Sequence, residues 1–219
     1  MKKLLLLSVV LFSCTSAFAQ LEQGSQMIGL HSGLGFQLQK SGVTYDTDDS
    51  HIDWGHIGVA VGGNYFYSAT SHLAVGFDFS FASFNGDDIN FGGNNSISSH
   101  TRLYNPMLAA RFTINPQHKV RFYLPAGAGL TIARQTLDID YNNASYTQKH
   151  TEYSLGWFVG VGMEAEIAQS GWSVGLESRL SFFRYDEGKL TRDAPAPITA
   201  NGKSNLSYVS AQLTLSKRF

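Results

Sequence analysis

The chain has 219 residues, 43% hydrophobic, 15% charged and 13% aromatic, with 22 glycines and a formal net charge of −1. That length fits one domain or a small pair, and few charges with many glycines and aromatics suit a β-protein better than a soluble helical one. No basic stripe of the kind a nucleic-acid binder needs is present, and no segment past the N-terminus approaches 18 consecutive apolar residues, which excludes helical membrane spans but not alternating strands.

Residues 1–19 read as a signal peptide: Lys2 and Lys3 form the basic start, Leu4 to Phe12 the apolar run, and Ala17-Phe18-Ala19 a small-x-small cleavage site before Gln20. Leu11-Phe12-Ser13-Cys14 also admits a lipobox reading, which Phe12 and the position of Cys14 inside the apolar run both disfavour. Cleavage leaves a mature chain, 20–219, without cysteine and so without disulfides. It carries 14 basic against 17 acidic residues, a net charge of −3.

The mature chain resolves into eight stretches of period-2 alternation, each roughly 11 to 15 residues, enough to cross a bilayer at a tilt of ~45°. The first, Met27 to Gln39, sets Ile28, Leu30, Leu34, Phe36 and Leu38 against Gly29, His31, Gly33, Gly35 and Gln37. A polar segment from Lys40 to Trp54 follows; its Asp46 to Ser50 run has oxygens for a divalent cation but lacks the glycine and late glutamate of an EF-hand loop. The second, His56 to Tyr67, opposes Ile57, Val59, Val61, Tyr65 and Tyr67 to Gly58, Ala60, Gly62 and Asn64. After a tight turn at Ala69-Thr70-Ser71, the third sets Leu73, Val75, Phe77, Phe79 and Phe81 against Ala74, Gly76, Asp78, Ser80 and Ala82.

A second polar segment, Phe84 to His100, leads to the fourth strand, Arg102 to Thr113, with Tyr104, Leu108, Ala110 and Phe112 opposite Asn105, Met107, Ala109 and Arg111. The turn at Asn115-Pro116-Gln117-His118 opens the fifth, Val120 to Ile132, where Pro125 removes a ladder donor and predicts a bulge. A third polar segment, Arg134 to Thr151, precedes the sixth strand, Tyr153 to Ile167, with Glu164 and Glu166 on its polar face. A short turn at Gln169-Ser170-Gly171 leads to the seventh, Trp172 to Phe182, with Glu177 and Arg179 on that face. The last polar segment, Tyr185 to Ser204, carries Pro195 and Pro197; the eighth strand, Leu206 to Phe219, alternates to the end. Connections therefore alternate long and short.

Alternation leaves open which face is inside, since a soluble lipocalin-like barrel would have it apolar inside. Here the polar face is crowded with Gly, Ala and Ser, which suits the tight interior of an eight-stranded ring, while the bulky unbroken face suits lipid. Aromatics gather at both ends of that bulky face: Tyr65, Tyr67, Phe112, Phe122, Trp172 and Phe219 by the short turns, and Phe36, Tyr104, Tyr153 and Phe182 toward the long segments. These form two interfacial girdles. The fold class expected is all-β: an eight-stranded antiparallel up-and-down transmembrane barrel, closed because an open edge in lipid leaves unpaired backbone groups.

The final amphipathic strand ending in Phe219, and "KVRFYLPAGAGL" from Lys119 to Leu130, carry a family resemblance. The chain resembles the small outer-membrane barrels: the OmpA transmembrane domain, OmpX and the opacity-type proteins. It departs from their patterns at Phe122, where proline is frequent, and at Lys217, where an apolar residue is usual. The resemblance implies a Gram-negative outer-membrane location, short periplasmic turns, long extracellular loops, both termini periplasmic, and insertion by the barrel-assembly machinery with Phe219 as assembly signal.

The inward charges Asp78, Arg111, Arg121, Glu164, Glu166, Glu177 and Arg179 are the candidate site. Enclosed in a narrow ring they should pair, because an unpaired buried charge costs several kcal/mol. They read as a structural salt-bridge plug; a narrow path for small solutes is the alternative. A lipid A-modifying enzyme is a third reading, and would need a nucleophile and base in contact with lipid, for which His100 with Ser98 or Ser99 is the nearest candidate. The expected role is structural or surface-interactive, without catalysis, cofactor or metal. Its expected partners are outer-membrane lipid and lipopolysaccharide, together with host or cell-surface ligands met by the loops.

Overall fold

The computed structural model describes residues 23–38, 43–45, 50–51, 57–86, 89–90, 96–141, 144–168, 170–186, 198–200 and 203–219. The signal-peptide reading of residues 1–19 and most of the Asp46 to Ser50 run lie outside them. Eight long strands dominate: β1 (Gln26–Gln37), β2 (Ile57–Ser68), β3 (Leu73–Asn85), β4 (Ser96–Thr113), β5 (Val120–Tyr141), β6 (Ala144–Ile167), β7 (Trp172–Asp186) and β8 (Lys203–Arg218). Each pairs antiparallel with the next in sequence. The ring closes between β8 and β1, from Met27 opposite Arg218 to Gln37 opposite Tyr208. Short pairings of Val43–Tyr45 with Ser50–His51 and Ile198–Ala200, and of Ile89–Asn90 with β4, decorate the long-loop end.

The faces follow the pattern read from sequence. Leu30, Phe77, Leu108, Leu155 and Leu213 stand on the outside, and His31, Asp78, Arg111, Arg121 and Gln212 are buried within. Such a surface, apolar over the whole ring, is what lipid contact requires. The three short turns are tied by side chains. The Thr70 hydroxyl accepts from the backbone of His72 and Leu73, at 3.2 and 3.0 Å. Asn115 spans its turn in both directions, accepting from Phe122 N at 2.7 Å and donating to Val120 O at 2.8 Å. In the third, Ala168 and Gly171 have positive φ, and the Ser170 hydroxyl accepts from Trp172 N at 3.2 Å.

Lys217, out of place as a sequence letter, has a structural reason. It lies outward between Ile28 and Trp172. Its ammonium donates to Ser170 O at 2.5 Å and sits 5.6 and 5.8 Å from the Trp172 and Phe219 rings. The aliphatic stem stays with the apolar belt while the charge reaches the turn.

Three expectations are corrected. Strands β4, β5 and β6 have 18, 22 and 24 residues, well beyond 15. The segment Arg134 to Thr151 is therefore not a long loop: residues 134–141 and 144–151 are strand, so connections do not alternate strictly long and short. Pro125 makes no bulge either. The β5–β6 register is the same on both sides of it, from Tyr123 opposite Gly162 to Ala126 opposite Val159, with ladder pairing merely interrupted at Leu124 and Pro125. A proline in a strand needs a missing bond; it does not need an extra residue.

The third correction concerns the interior. The half nearer the short turns holds the buried charges together with an apolar cluster of Met27, Phe66, Met107, Ala109 and Phe158. Toward the long end the interior becomes an apolar core of Ala60, Ala82, Phe84, Leu103, Ala133, Phe183, Tyr185, Leu206 and Tyr208, with Leu137 and Ile139 buried beyond. Val120 to Ile132 of β5, at ~3.3 Å per residue and a tilt of ~40°, rises ~30 Å, about the apolar band of an outer-membrane barrel with its interfaces. Past that level the outside is wet, and the tube needs an apolar centre like any soluble protein.

Candidate functional site

The inward phase of seven strands converges on one ionic network in the short-turn half. Arg121, 0% exposed, pairs with Glu164 at 2.9 Å and Glu166 at 3.5 Å and donates to the Ser173 hydroxyl at 3.1 Å. Its neighbour Arg111 pairs with the other Glu164 oxygen at 2.7 Å, lies 3.6 Å from the Tyr123 ring centroid, and reaches Met27 Sδ at 3.7 Å across the lumen. Arg218 donates to Glu164 at 3.3 Å. Glu164 thus anchors three guanidiniums from β4, β5 and β8.

One level further in, Arg179 grips Asp78 with two parallel hydrogen bonds, both 2.8 Å, linking β7 to β3 across the ring. Its Nε pairs with Glu177, and its guanidinium lies 4.6 Å from the Phe158 centroid. His31 Nε2 approaches Asp78 at 3.5 Å. The bidentate geometry is the strong form of this contact, fixing direction as well as charge. Four carboxylates (Asp78, Glu164, Glu166, Glu177) thereby face four guanidiniums (Arg111, Arg121, Arg179, Arg218).

All seven sequence-nominated charges are in this assembly. Arg218 was missed, though its signal was available: it continues the inward phase of Thr214 and Ser216. The alternation places His31 inward but does not name Asp78 as its neighbour. Above the network, Asn105 Nδ2 donates to Ser80 Oγ at 3.3 Å and Tyr208 Oη at 3.4 Å, where the polar half gives way to the apolar core.

The catalytic candidate is not assembled. Ser99 is buried inward, whereas His100 is on the outward face of β4. Both imidazole nitrogens are engaged: Nδ1 donates to Asn85 Oδ1, and Nε2 accepts from Arg102 Nε at 2.7 Å. An imidazole so held is neutral and has no lone pair free to activate the Ser98 hydroxyl. Burial, with help from the Arg102 charge, pushes its pKa below the ordinary value and favours that neutral form. Among the described residues no group of three or more His, Cys, Asp or Glu could hold a metal ion.

A family model for an outer membrane protein beta-barrel domain matches residues 4–219. No curated protein matches the sequence. Among solved structures the chain is similar to the outer membrane protein OprG from Pseudomonas aeruginosa, at 10% identity and a TM-score of 0.56, covering 93% of this chain and 99% of that one. It is also similar to Neisserial surface protein A, at 11% identity and a TM-score of 0.43, over 90% and 98% of the two chains. The attachment invasion locus protein Ail of Yersinia pestis gives 14% identity and a TM-score of 0.42, over 90% and 99%. At these identities the likeness concerns the fold alone.

Proposed function

The chain belongs to the outer membrane protein beta-barrel domain family, and from that premise we propose that it is a sealed, non-catalytic envelope protein whose long end is a surface for contacts outside the cell. The observation that carries this reading is the pair of seals stacked along the lumen. The charge-balanced network, packed with Met27, Phe66, Met107 and Phe158, occupies the short-turn half, and the apolar core that includes Phe84 and Tyr208 lies beyond it. An eight-stranded ring has room for little beyond its own side chains, and both halves here are spent on them. The wall of β4, β5 and β6 supports the contact role. Beyond the Ile132 level, β5 and β6 each continue for about nine residues, which at ~3.3 Å per residue and a ~40° tilt projects roughly 20 Å past the aromatic girdle.

In this reading the short turns and both termini are periplasmic, a signal peptide directs export, and the barrel-assembly machinery inserts the chain. Planar-bilayer recording tests the seal. Wild-type protein gives no steady conductance, and Arg111→Ala and Arg179→Ala raise the rate of brief openings by loosening the network. Steady wild-type currents on the scale of a general porin would overturn the sealed reading in favour of a solute channel.

A further inference from the structure

On the outward face of β4–β6, Tyr104 stands opposite Ile132, and Ile132 opposite Tyr153, marking the girdle at the long end. One row beyond, Arg102 stands directly opposite Arg134; in the next row, His100 faces Thr136 and Thr136 faces Lys149. These side chains border an open depression of about 680 Å³. Like charges directly opposed across an antiparallel ladder destabilise it. Yet no carboxylate among the described residues forms an ion pair with Arg102, Arg134 or Lys149.

The acids on the same face bond to hydroxyls: Asp138 borders the far side of the depression, and Asp140 lies beyond it. Asp138 accepts from Thr147 Oγ1 at 2.7 Å, and Asp140 from Ser145 and Ser96 hydroxyls at 2.5 and 3.3 Å. The two guanidiniums are held rather than loose. Arg102 is fixed through His100 and Asn85, and Arg134 Cζ sits 5.5 Å from the Tyr104 ring centroid. Oriented cations that no carboxylate among the described residues pairs with make a site suited to an anion.

We propose that Arg102, Arg134 and Lys149 bind the phosphorylated headgroup of the outer-leaflet glycolipid, lipopolysaccharide. The girdle marks headgroup depth, so the anions that meet this row sideways are lipid phosphates. Guanidinium forks match phosphate oxygens in pairs, and the lysine adds a point charge. The inference deepens the envelope role and rests on the orientation proposed above. The test is independent of that orientation and of the conductance result, so the readings can fail separately.

The full-length mature protein in neutral detergent is titrated with bisphosphorylated lipid A in the presence of EDTA, and bound lipid is counted by native mass spectrometry. Each basic group near a lipid surface strengthens binding roughly fivefold, so Arg102→Gln/Arg134→Gln/Lys149→Gln should weaken it about 100-fold. Lys119→Gln, at the opposite end, should leave it unchanged. A heat-modifiable gel shift confirms that each variant is folded. Equal binding of dephosphorylated lipid A, full displacement by equimolar inorganic phosphate, a requirement for Mg²⁺, or a folded triple variant that binds like wild type would each overturn the proposal.

Discussion

Removing Arg179 separates two explanations of what the lumen network contributes. Its guanidinium makes two 2.8 Å bonds to Asp78, pairs with Glu177, and packs on Phe158. Arg179 and Asp78 side chains are 4% and 1% exposed, so solvent cannot screen what is left behind. Arg179→Met keeps the stem and deletes the charge. The lost cation–π contact accounts for about 2 kcal/mol at a desolvated site. Removing one partner of a buried ion pair costs about 3–5 kcal/mol, and here Asp78 is left with only His31, and Glu177 with only Tyr123, as a side-chain partner. A loss of about 4 kcal/mol or more is therefore expected. It can be measured by reversible urea unfolding in phospholipid vesicles, followed by the fluorescence of the three tryptophans. Neutralising the orphans as well, in Asp78→Asn/Glu177→Gln/Arg179→Met, should return stability to within about 1–2 kcal/mol of wild type, because replacing a whole buried ionic group is often near neutral. If the single variant loses under 1 kcal/mol, or the triple is no better than the single, the network is not a set of mutually dependent charges and the reasoning fails.

Gly33 tests the seam: a Cβ there would lie 1.9 Å from Ala211 O and 2.7 Å from Gln212 Cα, whereas at Gly63 the nearest atoms are 3.3 and 3.4 Å away. Gly33→Ala should shift the gel population toward the open, heat-denatured form, and Gly63→Ala should migrate like wild type. Phe219 is joined to Gln26 by two backbone bonds, 3.1 and 2.9 Å, while its side chain is 69% exposed. Phe219→Ala should therefore unfold like wild type but insert more slowly in vesicles carrying the assembly machinery; a matching loss of stability would count against a signal role. For His100, a pKa held below 6.5 means that the folded chain binds fewer protons than the unfolded one as pH falls through that value. Stability of the projecting wall should be fully present above about pH 6.5 and decline below it. Hydrogen exchange of β4–β6 amides should show this slope in wild type and a flatter one in His100→Gln.

Strand count, phase and lumen charges were legible because lipid imposes a strong, simple rule on each strand between the girdles. One bulky apolar face repeats every second residue, and the charges left on the other face must find one another. Asp78 and Arg179, 101 positions apart, could be put into one assembly on that basis without knowing the register. Register itself was not legible, since Glu164 choosing Arg111, Arg121 and Arg218 depends on strand stagger, which the alternation does not encode.

The projecting wall escaped the same rule for a physical reason. Between Ile132 and Tyr141 the alternation never stops: Ala133, Gln135, Leu137 and Ile139 are buried, while Arg134, Asp138 and Asp140 are exposed. What changes is its sign. Below the girdle the outward residues are apolar because lipid is outside; above it the outward residues are polar because water is outside, so the apolar set moves to the inward phase without any slip in the strand. A search for bulky residues on the lipid-facing phase sees only Arg, Thr and Asp there and reads a loop. The inversion places an apolar core above an ionic one in a single tube. It also sets Arg102 opposite Arg134 at the boundary, where the outward face ceases to be apolar.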